Sequence, residues 1–254
     1  MITENTAYYM SNVWDKISSI LNETIPEIHL SYLIETSDLL HDIPRFALYI
    51  HLISAVICMG ISATFHLFYC HSKECNSILC WFDYAGISLL IGGTNFSPNY
   101  YGLYCKEYQT LLYIFLGIIE GFCLLAFFIA LHPKFYHASI RKWWASLYIF
   151  IGVGSAFPGF YYYFFRDANY IPDVNIFHWL LGGIFYVVGA VIYAMRIPEW
   201  WYPGRFDLCG YSHNIWHVMI IIAALFHFFG SLNTYHARRM SPCPVTPQLA
   251  NGIY

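Results

Sequence analysis

The chain has 254 residues, 58% of them hydrophobic, 20% aromatic and only 11% charged, at a mean hydropathy of +0.49. A soluble domain carries about a quarter charged residues. This composition therefore excludes an ordinary water-soluble enzyme and predicts an all-α, polytopic transmembrane helix bundle with spans of about 20 residues each. The net charge is −3 with no basic block, which argues against nucleic acid as a partner.

Residues 1–45 form the least membrane-like part. The first stretch, MITENTAYYMSNVWDK, has no basic region followed by an apolar one and is not arginine-rich, so neither a cleaved signal nor a transit peptide is expected. Asp15, Lys16, Asn22, Glu23, Glu27, Glu35, Asp38 and Asp42 recur every few residues, and Pro26 and Pro44 interrupt the stretch. It reads as short amphipathic helices on the membrane surface or against a partner. The bundle occupies residues 46–233. The first clear span runs from about Phe46 to Tyr69, anchored by Arg45. His66 lies in its last turn with Ser62 four residues earlier on the same face, and His51 lies at its opposite end. The second span, about Leu79 to Ser97, is the weakest and holds Asp83 in its first turns. A carboxylate within a span is costly and marks a functional candidate. Gly86, Gly92 and Gly93 allow neighbouring helices to approach closely.

The third span, about Tyr108 to Leu131, carries Glu120 at its middle, expected to face the bundle interior protonated or hydrogen-bonded. The fourth, about Trp143 to Phe165, should kink at Pro158-Gly159. The fifth runs from about Asn175 to Met195, followed by an interfacial loop, RIPEWWYPGRFD. The sixth, about Tyr211 to Leu232, is followed by an extended, proline-containing tail over residues 234–254. Cys58 and Cys123 fall in mid-span and read as packing residues. Cys70, Cys75 and Cys80 are each separated by four residues, not the two of zinc knuckles, and read as reduced thiols. Positive-inside counting does not orient the bundle: Lys16, Arg45, Lys106, Arg166, Arg238 and Arg239 lie on one side, and Lys73, Lys134, Arg141, Lys142, Arg196 and Arg205 on the other.

His213 and His217, four residues apart at the start of the sixth span, share one helix face. Alone, such a pair reads equally well as two interfacial histidines bonded to carbonyls. Six alternating spans add a geometric constraint. The end of span one, the start of span two and the start of span six all fall at one membrane face, so His66, Asp83, His213 and His217 lie at similar depth. Three histidines can supply three nitrogen ligands to zinc and leave the fourth position open. Asp83 would act from the surrounding shell through water. Imidazole also suits other divalent ions, so zinc is the preferred metal on chemistry alone. His227 lies ten residues past His217, roughly 15 Å along the axis, and His51 fifteen residues before His66, roughly 22 Å, so neither belongs to that cluster.

SATFHLFYCHS, then WFDYAGISLLI with Asp83 seventeen residues after His66, then RIPEWWYPGRFD and SHNIWHVMIIIAALFHFFG resemble the progestin and adipoQ receptor family, which includes the adiponectin receptors and the hemolysin III proteins. The resemblance covers about residues 46–236. It implies a zinc ion on His66, His213 and His217, a water held by Asp83, and Ser62 as part of the site. It also implies hydrolysis of lipid amides of the ceramidase type, or receptor signalling. A ceramide-like lipid or a free fatty acid inside the bundle, alongside membrane lipids, is the expected partner. The family has seven spans. Asn12-Val13-Trp14 resembles the motif opening the first, but DKISSILNETIPEIH is too polar for a lipid-facing helix. The first family helix is thus degenerate or absent, and a protein partner is expected to pack there. Three readings follow: a zinc-dependent lipid amide hydrolase, a lipid-linked receptor, and a non-catalytic accessory subunit of a larger complex retaining the zinc site. The residues do not select a membrane: the plasma membrane, an endomembrane and the mitochondrial inner membrane all remain open.

Overall fold

A computed structural model describes residues 42–132, 141–165, 167, 171, 176–206, 209–241 and 243. The expected amphipathic segment lies outside the described residues except for 42–45, as does the tail from 244. Among the described residues, seven α-helices follow one another: α1 Phe46–Phe68, α2 Lys73–Gly102, α3 Gln109–Ala130, α4 Arg141–Gly154, α5 Phe157–Phe165, α6 Ile176–Met195 and α7 Ser212–Met240. A short 3-10 turn, Lys106–Tyr108, precedes α3. Among the described residues, α1, α2, α3 with its leading turn, α6 and α7 are each long and apolar enough to cross a membrane.

α2 is the centre of the bundle. It packs against α1 on one side, α3 on the other and α7 behind, while α6 lies along α7 and touches α4. Its sequence explains both its place and its weak hydropathy. Gly86, Ser88, Gly92, Gly93, Thr94, Asn95 and Ser97 are all buried. A helix wrapped by protein needs small residues for close approach rather than leucines for lipid. A Cβ at Gly93 would overlap the Ser54 side chain of α1, and one at Gly92 would press on the Glu120 carboxylate of α3. Glu120 therefore faces the glycine step of α2, in a groove with Ser54 and Ser88. α2 is also longer than its apolar core of 79–97 predicts: its last turn is wrapped, with Pro98, Asn99, Tyr101 and Gly102 buried, while its first turn is exposed. It starts at Lys73, where Ser72 caps the first turn by accepting from the Cys75 N–H at 3.1 Å. The outer surface is what lipid requires: Val56 is 72% exposed, Phe150 71% and Phe165 73%.

Two boundaries correct the sequence reading. The expected fourth span is divided. α4 stops at Gly154, the chain turns at Ser155 and Ala156, and α5 carries Pro158 as its second residue. The proline ring clashes with the carbonyl four residues back, which is Gly154, so the break falls upstream of the Pro-Gly pair. α7 continues to Met240 in place of an extended chain from 234. Its last turns bury Gly230, Ser231, Thr234, Tyr235 and Arg238 against protein, so polar residues there do not signal the end of the helix. Arg45 joins the same contact, donating from Nε to the Tyr235 hydroxyl at 3.1 Å. Cys58 and Cys123 are buried, as expected, and Cys70 and Cys75 are not in disulfides. A disulfide between Cys105 and Cys243, 138 residues apart, ties the chain after α7 to the end of α2. No spacing rule foretells it.

Candidate metal centre

The last turn of α1 and the first two turns of α7 bring three imidazoles together. His66 Nε2 lies 3.0 Å from His213 Nε2 and 3.2 Å from His217 Nε2. All three ligand nitrogens fall within 4.8 Å of one another. The ring planes meet edge to face, at 74° and 90° for His66 with His213 and His217. Mutual hydrogen bonding satisfies this arrangement poorly, because one Nε2 proton serves one acceptor and the remaining lone pairs point at each other. Two ligands about 2.0–2.1 Å from a tetrahedral zinc stand roughly 3.3 Å apart, close to both observed separations. The donor set fits zinc. His66 is the exposed member, and His213 and His217 are half-buried.

Ser62, Asp83, His213 and His217 line one cavity of about 220 Å³, together with Tyr84, Tyr193 and Trp216. Asp83 lies within electrostatic reach of His66 and beside the Ser62 hydroxyl. Ser62 is buried, and its Oγ falls short of hydrogen-bond geometry. The sequence-derived residues are thus collected at one end of the bundle. His227 and His51 lie elsewhere. His227 Nε2 is 3.2 Å from the Trp179 carbonyl on α6, and the His51 ring packs 5.7 Å from that of Phe228.

Three further residues position the histidines, and none was singled out by sequence. Tyr193 packs on the His213 ring at 5.2 Å. Its hydroxyl is 3.1 Å from that of Tyr84, whose carbonyl accepts from the Tyr148 hydroxyl at 2.7 Å. Tyr84 stands next to Asp83 in the WFDYAG motif, but Tyr193 is one of 23 tyrosines with no local signal. Glu199, in the loop before α7, accepts from the Ser212 backbone N–H at 2.8 Å and from the Ser212 hydroxyl. It thereby satisfies an orphan donor at the N-terminus of the helix carrying His213 and His217.

Burial works against the Glu199 carboxylate. The Ser212 hydrogen bonds and the nearby Arg196 charge outweigh it and leave the pKa below the ordinary 4.5. A depressed carboxyl stabilises the fold above the unfolded pKa and loses that effect as pH falls through the folded value. Glu199→Gln should therefore cost stability at pH 7 and cost progressively less below about pH 4.5. Denaturant titration of both proteins across pH 3–7 checks this. A difference that grows toward low pH would show the sign to be wrong.

A membrane-spanning helical bundle with three converging histidines at one end defines the class of protein. The chain belongs to the Haemolysin-III related family, whose profile matches residues 21–228. It is 35% identical over 179 residues to the "Adiponectin receptor protein" of Drosophila melanogaster, covering 70% of this chain and 40% of that one. It is 36% identical over 192 residues to "Progestin and adipoQ receptor-like protein 1" of Caenorhabditis elegans, covering 75% and 44%. It is 34% identical over 194 residues to "Heptahelical transmembrane protein 5" of Arabidopsis thaliana, covering 75% and 50%. The match thus spans half or less of the length of these relatives.

Proposed function

We propose that this integral membrane protein hydrolyses long-chain lipid amides at a zinc site formed by His66, His213 and His217. The observation carrying this reading is the convergence of three Nε2 atoms beside an internal cavity that also receives Asp83 and Ser62. When bound there, zinc supplies Lewis-acid polarisation of a carbonyl and a nucleophile competent at neutral pH. The chain's own groups supply the rest. Asp83 accepts the proton of the attacking water and passes it to the leaving amine nitrogen. Ser62, beside it, limits where the carboxylate points. The apolar walls of the cavity, Met59, Phe65, Ile87 and Ile220, hold the acyl chain and exclude bulk water.

The test is fatty-acid release from a ceramide by purified protein. Chelation should abolish it. Asp83→Asn should lower the rate by about 10²–10⁴-fold, the usual worth of a general base, while keeping a full equivalent of zinc. Equal rates with and without chelator would sink the enzymatic reading. The word receptor in the relatives' names favours a second reading, signalling, in which the metal ties α1 to α7. Under it, the Asp83 variant retains the ligand response with its zinc.

A further inference from the structure

The cavity at the histidine cluster does not end there. It shares Ile87, Tyr148, Ala190, Trp216 and Ile220 with a second cavity of about 420 Å³ running between α2, α4, α6 and α7. That one adjoins a third, of about 210 Å³, which continues past His227 to Asn99 and Tyr162. The walls are mostly apolar, as suits an alkyl chain. Among the polar groups of the second cavity, Asn95 and Ser155 donate to nearby backbone carbonyls, which leaves Thr94 on α2, Tyr186 on α6 and Nδ1 of His227 on α7, His227 also lining the third cavity.

Thr94 is 2% exposed and His227 9%. Thr94 Oγ1, Tyr186 Oη and His227 Nδ1 make no hydrogen bond. Thr94 and Tyr186 are neighbours, yet their hydroxyls do not reach each other in hydrogen-bond geometry. Buried polar groups are almost always paired, and each orphan calls for a missing partner. Trp179 Nε1, on the same cavity, is a fourth unpaired atom, and such orphans along one cavity that also adjoins the histidine cluster point to a partner carried by the cavity's occupant.

The geometry points to an acyl chain bearing a hydroxyl in its middle, the hydroxyl being recognised by Thr94, Tyr186 and His227. This rests on the lipid-binding reading above and specifies its substrate class. A hydroxyl is the matching group because it both donates and accepts and is neutral. A second carboxylate would be a buried charge, at much greater cost. The position follows from the helix. His227 lies ten residues beyond His217, so the polar step is about 15 Å from the histidine cluster. An extended alkyl chain with C–C bonds of about 1.5 Å advances about 1.25 Å per carbon, which places the hydroxyl near the twelfth carbon. Because the cavity continues beyond His227, the chain continues beyond the hydroxyl.

The test is displacement of cis-parinaric acid from the purified full-length chain in lipid nanodiscs by octadecanoic acid and by 12-hydroxyoctadecanoic acid. One satisfied buried hydrogen bond gives about a tenfold preference for the hydroxy acid. Thr94→Val and Tyr186→Phe, which keep shape and remove the hydroxyls, should each reduce that preference several-fold. Both should bind octadecanoic acid as the unaltered chain does, which also shows them folded. 2-Hydroxyoctadecanoic acid, whose hydroxyl falls at the histidine end, should show no dependence on Thr94 or Tyr186. If octadecanoic acid binds but the 12-hydroxyl brings no advantage, water alone occupies the polar step and the inference is overturned while the lipid cavity stands. If the preference survives both variants, the assigned residues are wrong. If neither acid displaces the probe, the lipid-cavity reading itself fails, and this inference with it.

Discussion

Replacing His213 by alanine should reduce bound zinc from one equivalent per chain to near none, and chelation should then have no further effect on the variant's unfolding. The proposed site has three nitrogen donors, and the pair left in the variant, His66 on α1 and His217 on α7, leaves two of the four tetrahedral positions without a protein ligand. Metal bound only by the folded chain stabilises it by about 4 kcal/mol at a thousandfold excess over Kd. The variant should lose that increment at saturating zinc, read by thermal unfolding beside metal analysis. His51 and His227 provide the contrast. Both are buried, at 1% and 9% exposure, so His51→Ala and His227→Ala leave cavities and lower stability by about 2–5 kcal/mol. They should nevertheless retain the full zinc equivalent, because neither ring nears the cluster. Stability and metal content therefore separate across the three variants. A His213 variant with a full equivalent of zinc, or a His227 variant without it, would sink the assignment.

How much of this was legible beforehand differs by residue type. α1, α3 and α6 face lipid along much of their length, so their apolar runs match the helices to within a residue or two. The apolar runs of α2 and α7 stop short of the C-terminal ends of those helices for one physical reason. Those ends are covered by protein rather than lipid, and there Gly, Ser, Thr and even Arg replace leucine without ending the helix, whereas the exposed first turn of α2 is held by the Ser72 cap. The histidine cluster was legible because span alternation alone brings His66 and His213 to one face, whatever the bundle's detailed packing. Glu199 was not, because its role depends on a loop folding back on Ser212. Tyr193 was not, because aromatic contacts between distant helices leave no trace in spacing.

Arg238 is the largest of the fully buried side chains, at 1% exposure, and its loss should be the most damaging change away from the histidines. It sits near the end of α7, and its guanidinium reaches the end of α2. Nε donates to the Tyr101 carbonyl at 2.9 Å and Nη2 to the Gly102 carbonyl at 3.2 Å, while Nη1 donates to the Ser241 carbonyl at 3.2 Å. Nη1 also lies 3.2 Å from Cys105 Sγ, so the group abuts the disulfide that holds the chain after α7. The last carbonyls of a helix lack intrahelical partners, and a cation there also meets the negative end of the dipole. Arg238→Ala strands several buried carbonyls at once. The cost should be about 3–5 kcal/mol, since each buried carbonyl left without its donor costs about 1–3 kcal/mol. At about 2–4 °C per kcal/mol for a chain of this size, Tm should fall by roughly 10 °C. Arg238→Lys should recover only part of this, because a single ammonium cannot serve three carbonyls in the fork geometry of a guanidinium. Zinc content should stay at one equivalent in both variants, since the histidines sit at the other end of α7. A lysine variant as stable as the unaltered chain would show that charge alone, not the fork, joins α2 to α7.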